Sequence, residues 1–154
     1  GLDIAFLGFG QVDCEGNVNV SKLDGVTVGP GGFIDIAQNA RKVVFCGTFD
    51  TKGTKTETGD GTLKLIKPGR IRKFVKAVDQ ITFSGKQALL QKQEVIYITE
   101  RAVFRLNKKG LELIEIAPGI ERLRDVINQM DFKPLISKTL IKMNPKIFID
   151  EKRG

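Results

Sequence analysis

The sequence contains no histidine and no tryptophan, a single tyrosine, and only two cysteines, Cys14 and Cys46. Without histidine, neither a Ser-His-Asp triad nor a Cys-His pair can form, so hydrolases built on those arrangements lose support. Two cysteines are too few for a disulfide framework, and without histidine a zinc site is nearly excluded. We therefore expect two reduced, structural thiols and no metal site.

Long apolar runs are also missing, because none approaches the ~18 residues that span a membrane. No basic segment precedes the first apolar stretch, and no signal-peptide cleavage pattern follows it. These features lead us to expect a cytoplasmic protein, mitochondrial if the source is eukaryotic, with no membrane partner.

The common phosphate-binding and nucleophile motifs are absent as well. Neither a Gly-x-x-x-x-Gly-Lys-Ser/Thr loop nor a Gly-x-Ser-x-Gly elbow occurs. Gly8-Phe9-Gly10 begins like a dinucleotide fingerprint, but no third glycine follows at the required spacing. Nicotinamide binding is therefore not favoured.

Composition indicates one globular domain. The chain has 154 residues, of which 41% are hydrophobic and 28% charged, enough for one hydrophobic core. No linker and no internal repeat divides it. The sequence predicts a single unit over residues 1–154, with an extended arm from about residue 132 to 154.

A surplus of basic residues raises the question of nucleic-acid binding. The chain has 25 basic and 18 acidic residues, a net charge of +7. Much of the surplus lies in two stretches: Lys64, Lys67, Arg70, Arg72, Lys73 and Lys76, then Lys138, Lys142 and Lys146. These stretches lack interleaved aromatic residues and any known RNA-binding motif. A solvated basic face is the favoured interpretation, and no nucleic-acid partner is expected.

Apolar patterns predict the order of the elements. In the first half we expect a buried strand over residues 4–7, a reversal about residues 13–17, a strand over 43–47, and a loop over 51–61. In the second half we expect strands over 95–98, 102–106 and 111–116. Ile120, Leu123, Ile127 and Met130 have helical spacing and predict an amphipathic helix that packs on the core.

A glycine-rich string is the strongest functional signal in the chain. Gly29-Pro30-Gly31-Gly32 precedes apolar residues at helical spacing, namely Phe33, Ile36, Ala37 and Ala40. Such a string exposes backbone N–H groups at the start of a helix, where the helix dipole favours an anion or a developing oxyanion. The alternative is a tight turn that simply enters a helix.

The wider context of this string resembles a known family. The matching segments, in order, are residues 7–13, 15–21, 29–36, 42–45, 97–104 and 109–113. Together they resemble the C-terminal, beta-subunit-like half of the family I coenzyme A (CoA) transferases. The similarity runs from residue 1 to about residue 136. It is strongest to the short-chain acyl-CoA (acetate or propionate) transferases, and the 3-ketoacid CoA-transferases are close behind.

The resemblance implies an α/β fold and a covalent mechanism. The fold would be a CoA-transferase-type (NagB/RpiA-like) domain, with a mixed sheet and flanking helices, and an incomplete half of the enzyme. In the family a glutamate attacks the acyl-CoA thioester and goes on to carry CoA as a glutamyl-CoA thioester. That glutamate lies upstream of this chain, so the chain alone should be inactive and its partner should be the N-terminal half, in cis or as a separate subunit.

The resemblance also implies roles for particular residues. The backbone N–H of Gly32, beside Gly31, would stabilise the oxyanion, and Gly29 and Phe33 would shape the loop. Gly8 and Phe9 would lie near the thioester or the pantetheine arm, and Lys52 would contact CoA. CoA would be a substrate rather than a tightly bound cofactor, and the phosphates of CoA would use some of the positive charge.

Two alternatives remain open at this point. The chain could be a noncatalytic CoA-binding or interaction module of the same fold, or a basic nucleic-acid binder. For the enzyme, the resemblance further implies short-chain acyl-CoA or ketone-body metabolism and a homo-oligomer when complete. The sequence leaves the acyl donor and the carboxylate acceptor undefined.

Overall fold

The structure is a computed structural model that describes residues 3–20, 37 and 39–148. The strands in this part of the chain are β1 (Ile4–Gly8), β2 (Gln11–Val12), β3 (Val18–Asn19), β4 (Lys42–Cys46), β5 (Asp50–Thr51), β6 (Lys55–Gly59), β7 (Thr62–Lys67), β8 (Ile71–Arg72), β9 (Glu94–Ile98), β10 (Ala102–Asn107), β11 (Gly110–Ile116) and β12 (Leu135–Lys142). One short α-helix, α1, spans Gly85–Leu90. Ala37 and Asn39 are also helical.

Six of the strands form one mixed sheet in the order β1-β4-β9-β10-β11-β12. β1, β4 and β9 run parallel, β9, β10 and β11 form an antiparallel meander, and β12 is parallel to β11. Because β1, β4 and β9 are parallel, their carboxyl ends meet at one edge of the sheet. Gly8, Cys46 and Ile98 are paired in register at this carboxyl edge.

One face of the sheet carries the core. The side chains on this face are buried: Ala5, Val43, Phe45, Val95, Tyr97, Phe104 and Leu113. Val44 and Val103, on the opposite face, are buried as well. The Phe45 ring stacks on Tyr97 with centroids 5.5 Å apart and meets the edge of Phe83 at 5.1 Å. Burial raises the pKa of Tyr97 well above its ordinary value, so its hydroxyl remains a donor and bonds the Gly16 carbonyl oxygen at 2.6 Å.

The predicted reversal near residue 15 is confirmed. β2 and β3 pair antiparallel, with Val12 opposite Val18. The Asp13 carboxylate accepts hydrogen bonds from the backbone N–H groups of Glu15 and Asn17, at 3.0 and 3.1 Å. Asn17 in turn accepts one from the backbone N–H of Gly85 at 2.9 Å. The turn thereby fixes the start of α1.

Helix α1 was not among the elements expected from the sequence. Its N-cap is Ser84, whose hydroxyl accepts a hydrogen bond from the Gln87 backbone N–H at 3.1 Å. A serine followed three residues later by glutamine is a helix-start signal, and the sequence carried it. At six residues α1 is too short for apolar periodicity to stand out.

The loop expected over residues 51–61 is wrong in part. β6 and β7 form an antiparallel hairpin in this region, and Asp50–Thr51 forms β5, which pairs with β8. All but one of the β6 residues are exposed. The segment is polar because it is a solvated hairpin, and strand pairing needs no apolar side chains on an exposed face.

The amphipathic helix expected between Ile120 and Met130 is also wrong. Residues Arg122–Val126 form a single π-helical turn, and Ile127–Gln129 form a 3-10 turn. Ile120 and Met130 are buried as expected, but Leu123 is 55% exposed. Two short turns of different pitch do not keep four apolar residues on one face.

Strand β1 exists as predicted but is not buried throughout. Ile4 is 45% exposed and Phe6 is 68% exposed, whereas Ala5 lies in the core. β1 is an edge strand. On the face opposite the core, Ile4 and Phe6 of β1 are exposed, whereas Val44 of the neighbouring β4 is buried.

The structure describes the arm expected over residues 132–154 only as far as residue 148. Residues Leu135–Lys142 form β12, which pairs with β11, and Pro145–Phe148 form a 3-10 turn. In the part of the chain that the structure describes, no helix has the length and apolar character needed to cross a bilayer.

A substitution at Gly85 tests the contact between the turn and α1. A Cβ atom at Gly85 would collide with the carbonyl oxygen of Glu15, whereas one at Gly59 would meet nothing within 4 Å. We expect Gly85→Ala to lower the free energy of unfolding by about 1–3 kcal/mol, since backbone cannot easily move away. The matched control Gly59→Ala should change it by less than about 0.5 kcal/mol. Equal effects in urea denaturation would show that the turn and helix are not tightly packed.

Candidate active-site cleft

The loops at the carboxyl edge of β4 and β9 form an open cleft. The cleft is lined by Thr48, Asp50, Thr51, Lys52, Gly53, Thr54, Thr56 and Glu100. The Gly47 backbone N–H donates to the Ile98 carbonyl at 3.1 Å, and the Phe49 N–H donates to Glu100 Oε1 at 2.8 Å. In open α/β sheets, ligands bind beyond the carboxyl ends of parallel strands. The cleft occupies such a position.

Lys52 lines this cleft and has an unusual backbone conformation. Its φ is +69°, and that of the following Gly53 is +89°. A left-handed lysine is uncommon outside a constrained turn. The Lys52 carbonyl accepts a hydrogen bond from the Arg70 backbone N–H at 2.9 Å, which stabilises the turn. The side chain is exposed, so an ammonium group is available at the mouth of the cleft.

A buried arginine anchors both loops of the cleft. The Arg101 side chain is fully buried and pairs with Asp50 at 3.2 Å and with Glu100 at 2.7 Å. Its third contact is a hydrogen bond to the Asp125 carbonyl at 3.1 Å. The guanidinium carbon lies 4.6 Å from the centre of the Phe49 ring, within the range of a cation–π contact.

Asp50 has further partners besides the arginine. It accepts hydrogen bonds from the Thr54 hydroxyl at 2.6 Å and from the Gly69 backbone N–H at 2.9 Å. Asp50 therefore joins the Lys52 turn to the segment that follows β7. Arg101 offsets part of the negative charge of Asp50 and Glu100, which reduces the repulsion between these carboxylates and an anion in the cleft.

A second lysine lies below the cleft. Lys73 is buried, with Nζ 3.4 Å from the Thr48 hydroxyl oxygen and 4.1 Å from the centre of the Phe9 ring. No sequence pattern separates Lys73 from the basic residues around it. The backbone of Lys73, whose carbonyl accepts from the Val12 N–H at 2.8 Å, holds it against β2.

The basic stretch 64–76 is not one continuous exposed stripe. Besides the burial of Lys73, Arg72 is paired with Asp131 at 3.0 Å and donates to the Asn128 carbonyl at 3.1 Å. Arg72 therefore braces the turn after the π-helical segment. The basic residues of this stretch therefore have different local environments: Arg72 is in a surface ion pair and Lys73 is buried.

The structure describes three of the residues to which the resemblance gave a role. Gly8 ends β1 at the carboxyl edge and is paired with Cys46. Phe9 is fully buried and packs against Phe74 at 5.9 Å, so its ring is a core group. Lys52 lines the cleft. Gly29, Gly31, Gly32 and Phe33 lie outside the described residues.

Neither cysteine has the character of an activated nucleophile. Cys14 and Cys46 are free and exposed. Burial raises the pKa of both thiols, and Asp13 and Glu15 raise that of Cys14 further. Thiols with raised pKa values are poorly ionised at neutral pH and react slowly. Among the residues that the structure describes, no group of His, Cys, Asp and Glu could hold a metal ion.

The chain is similar to known proteins. No family model matches the chain. Over its whole length, however, the chain is 49% identical to acetate CoA-transferase YdiF of Escherichia coli O157:H7. It is also 46% identical over 159 residues to caffeate CoA-transferase of Acetobacterium woodii. The chain is a homologue of the coenzyme A transferases. It spans only 29% and 30% of the length of these two relatives.

Solved structures support the same relationship. The crystal structure of YdiF in a thioester complex with CoA superposes with a TM-score of 0.90 over 97% of this chain and 29% of that one. The decarboxylase AibA/AibB superposes with a TM-score of 0.61 at 20% identity, which shows a shared fold only. The family resemblance and the mixed-sheet fold expected from the sequence are thus confirmed.

Removing the buried arginine should destabilise the protein strongly. Arg101→Met would leave Asp50 without its cation in the interior, which costs about 3–5 kcal/mol in comparable buried pairs. The matched control is Arg105→Met on β10, the strand that begins directly after Arg101, which breaks the pair with Glu112 at 2.9 Å at the surface. That loss should be below about 1 kcal/mol. Similar losses for both variants in urea unfolding would contradict the anchoring role of Arg101.

Proposed function

We propose that this chain is part of an acyl-CoA:carboxylate CoA-transferase that moves CoA between a short-chain acyl-CoA and a carboxylate. The observation that carries the proposal is the agreement, at 49% identity and a TM-score of 0.90, with an acyl-CoA transferase solved as a thioester complex with CoA. The exposed Lys52 in the cleft at the carboxyl edge of the sheet supports it, because CoA carries phosphate groups.

The proposed reaction proceeds through a glutamate. Its carboxylate attacks the thioester carbonyl and the C–S bond breaks. The CoA thiolate departs, and an acyl-glutamyl anhydride is formed. The thiolate then attacks the glutamyl carbonyl, which releases the acyl group as a carboxylate and leaves glutamyl-CoA. The acceptor carboxylate reverses these steps, so CoA is transferred without net hydrolysis.

We place the nucleophile outside this chain. Glu100 lines the cleft, but its carboxylate is held by Arg101 and by the Phe49 backbone N–H. Glu57 lies on the exposed β6–β7 hairpin, and Glu94 is 3.8 Å from Lys42 in a surface pair. No described glutamate combines a place in the cleft with a free carboxylate. The nucleophile would belong to the N-terminal half of the complete protein.

This chain would supply the opposite side of the site. The backbone N–H groups of Gly31 and Gly32 would hold the oxyanion, with Gly29 and Phe33 shaping that loop. Lys52 would contact CoA, and the backbone at Gly8 and Phe9 would border the pantetheine arm. The placement of Gly8 and Lys52 after neighbouring parallel strands supports this assignment.

We also propose that the face of the sheet opposite the core receives the N-terminal half. Register places Phe6, Val44 and Ile96 in one row across β1, β4 and β9, beside a second row of Gly8, Cys46 and Ile98. Parallel strands normally have both faces covered. Since about 70% of the relatives' length lies outside the match, the complete protein has ample polypeptide for this cover. The complete enzyme would be a cytoplasmic homo-oligomer.

The isolated chain should be inactive, because it lacks the nucleophile. Residues 1–154 should transfer no CoA from acetyl-CoA to a carboxylate acceptor and should form no CoA adduct by intact-mass measurement. A chimera in which this chain replaces the matching 29% of YdiF should transfer CoA from acetyl-CoA to acetate. A folded chimera without activity would refute the proposal and favour a noncatalytic module. A CoA adduct on the isolated chain would place the nucleophile here instead.

Cysteine labelling tests the proposed cover of the sheet. Cys46 lies on the face opposite the core and Cys14 lies elsewhere, and both are exposed in this chain. For each cysteine, the rate of labelling by iodoacetamide in the folded chimera is divided by the rate in the urea-unfolded protein. This ratio should be at least tenfold lower for Cys46 than for Cys14. Equal ratios, read by peptide mass spectrometry, would contradict the proposal. If the slow labelling of Cys46 were lost on dilution of the protein, a second copy of the protein would instead be what covers this face of the sheet.

A further inference from the structure

We propose that Lys73 is a positioning residue that orients the hydroxyl of Thr48 as a hydrogen-bond donor into the cleft. The recipient would be an anionic oxygen of the substrate, either a CoA phosphate or the carboxylate of the acceptor. This inference rests on the proposed function and adds two residues, Lys73 and Thr48, to which the family resemblance gave no role.

Hydrogen-bond directionality carries the argument. An ammonium group has only donors, so at 3.4 Å the Thr48 oxygen must be the acceptor in its contact with Lys73 Nζ. The Thr48 hydroxyl proton must then point away from Lys73. Thr48 is exposed and lines the cleft, so that proton is available to an acceptor bound there.

The packing around Lys73 holds its ammonium group in this position. The Phe9 ring lies 4.1 Å from Nζ, which gives a cation–π contact on the core side. On the other side, Gly47 leaves the space that the lysine needs. A Cβ atom at Gly47 would lie 3.1 Å from Lys73 Nζ and 2.8 Å from the Phe9 ring. Gly47 has no positive φ, so space is what favours glycine here.

The positive charge of Lys73 also contributes to the electrostatic potential in the cleft, because Lys73 is buried close to it. Asp50 and Glu100 share the single guanidinium of Arg101. Among the described residues, Lys52 and Lys73 are two further cations at the cleft. A buried charge is screened less than a surface charge.

Steady-state kinetics of the YdiF chimera test the proposal. Lys73→Met should raise KM for either acetyl-CoA or acetate about tenfold, and the substrate affected identifies the oxygen that Thr48 binds. Thr48→Val, which keeps the shape and removes the hydroxyl, should raise the same KM. In the Thr48→Val background, Lys73→Met should raise KM little further, because the two residues act through one hydrogen bond. Lys73→Arg should recover part of the loss.

The matched control is Lys76→Met, since Lys76 is exposed three residues further along. It should leave both KM values unchanged within about twofold. A Lys73→Met protein that has a lower melting temperature but unchanged KM and kcat would overturn the proposal. The proposal would also be overturned if Lys73→Met and Thr48→Val raised KM for different substrates, or if their effects on KM multiplied in the double variant.

A separate arm distinguishes failure of this inference from failure of the proposed function. If wild-type chimera transfers CoA and Lys52→Met raises KM for acetyl-CoA while Lys73→Met changes nothing, only the Lys73 inference fails. If wild-type chimera transfers no CoA, titration calorimetry with CoA and, separately, with acetate decides. Binding weakened by both Lys73→Met and Thr48→Val supports the inference, and binding that is unchanged or absent overturns it.

Discussion

The buried guanidinium of Arg101 determines the shape of the cleft. It links the loop after β4, through Asp50, to the end of β9, through Glu100, and to the turn that contains Asp125. A buried ion pair contributes little net stability, because desolvation offsets the attraction. Its consequence is positional, since a planar guanidinium offers donors in fixed directions. The left-handed turn at Lys52 therefore stays where a ligand at the carboxyl edge can reach it.

The two faces of the sheet have different roles. One face packs an aromatic core in which Phe45 contacts both Tyr97 and Phe83, and this core holds the parallel strands in register. The other face carries Phe6 in the open at 68% exposure. An apolar side chain so exposed on a parallel strand is typical of a surface that another segment of polypeptide covers.

The candidate site was predictable where its residues stand in an ordered motif. The resemblance assigned roles to Gly8 and Lys52, and the structure places both near the carboxyl edge of the sheet, where those roles stay predictions. Thr48, Lys73 and Arg101 could not be assigned from sequence. Nothing in a run of basic residues shows which side chain is buried, because burial depends on the packing of β2 and Phe9 against it.

The sequence by itself determined the strands of the meander, the reversal at Asp13, and membership of the CoA-transferase fold, since these depend on local alternation, turn chemistry and motif order. Only the tertiary structure decided that polar residues 55–67 pair as a hairpin and that the segment after Ile120 divides into two turns of different pitch. The physical reason is that strand pairing and helical pitch in such short segments follow from contacts with distant residues. Local propensity cannot report contacts that form only when the chain has folded.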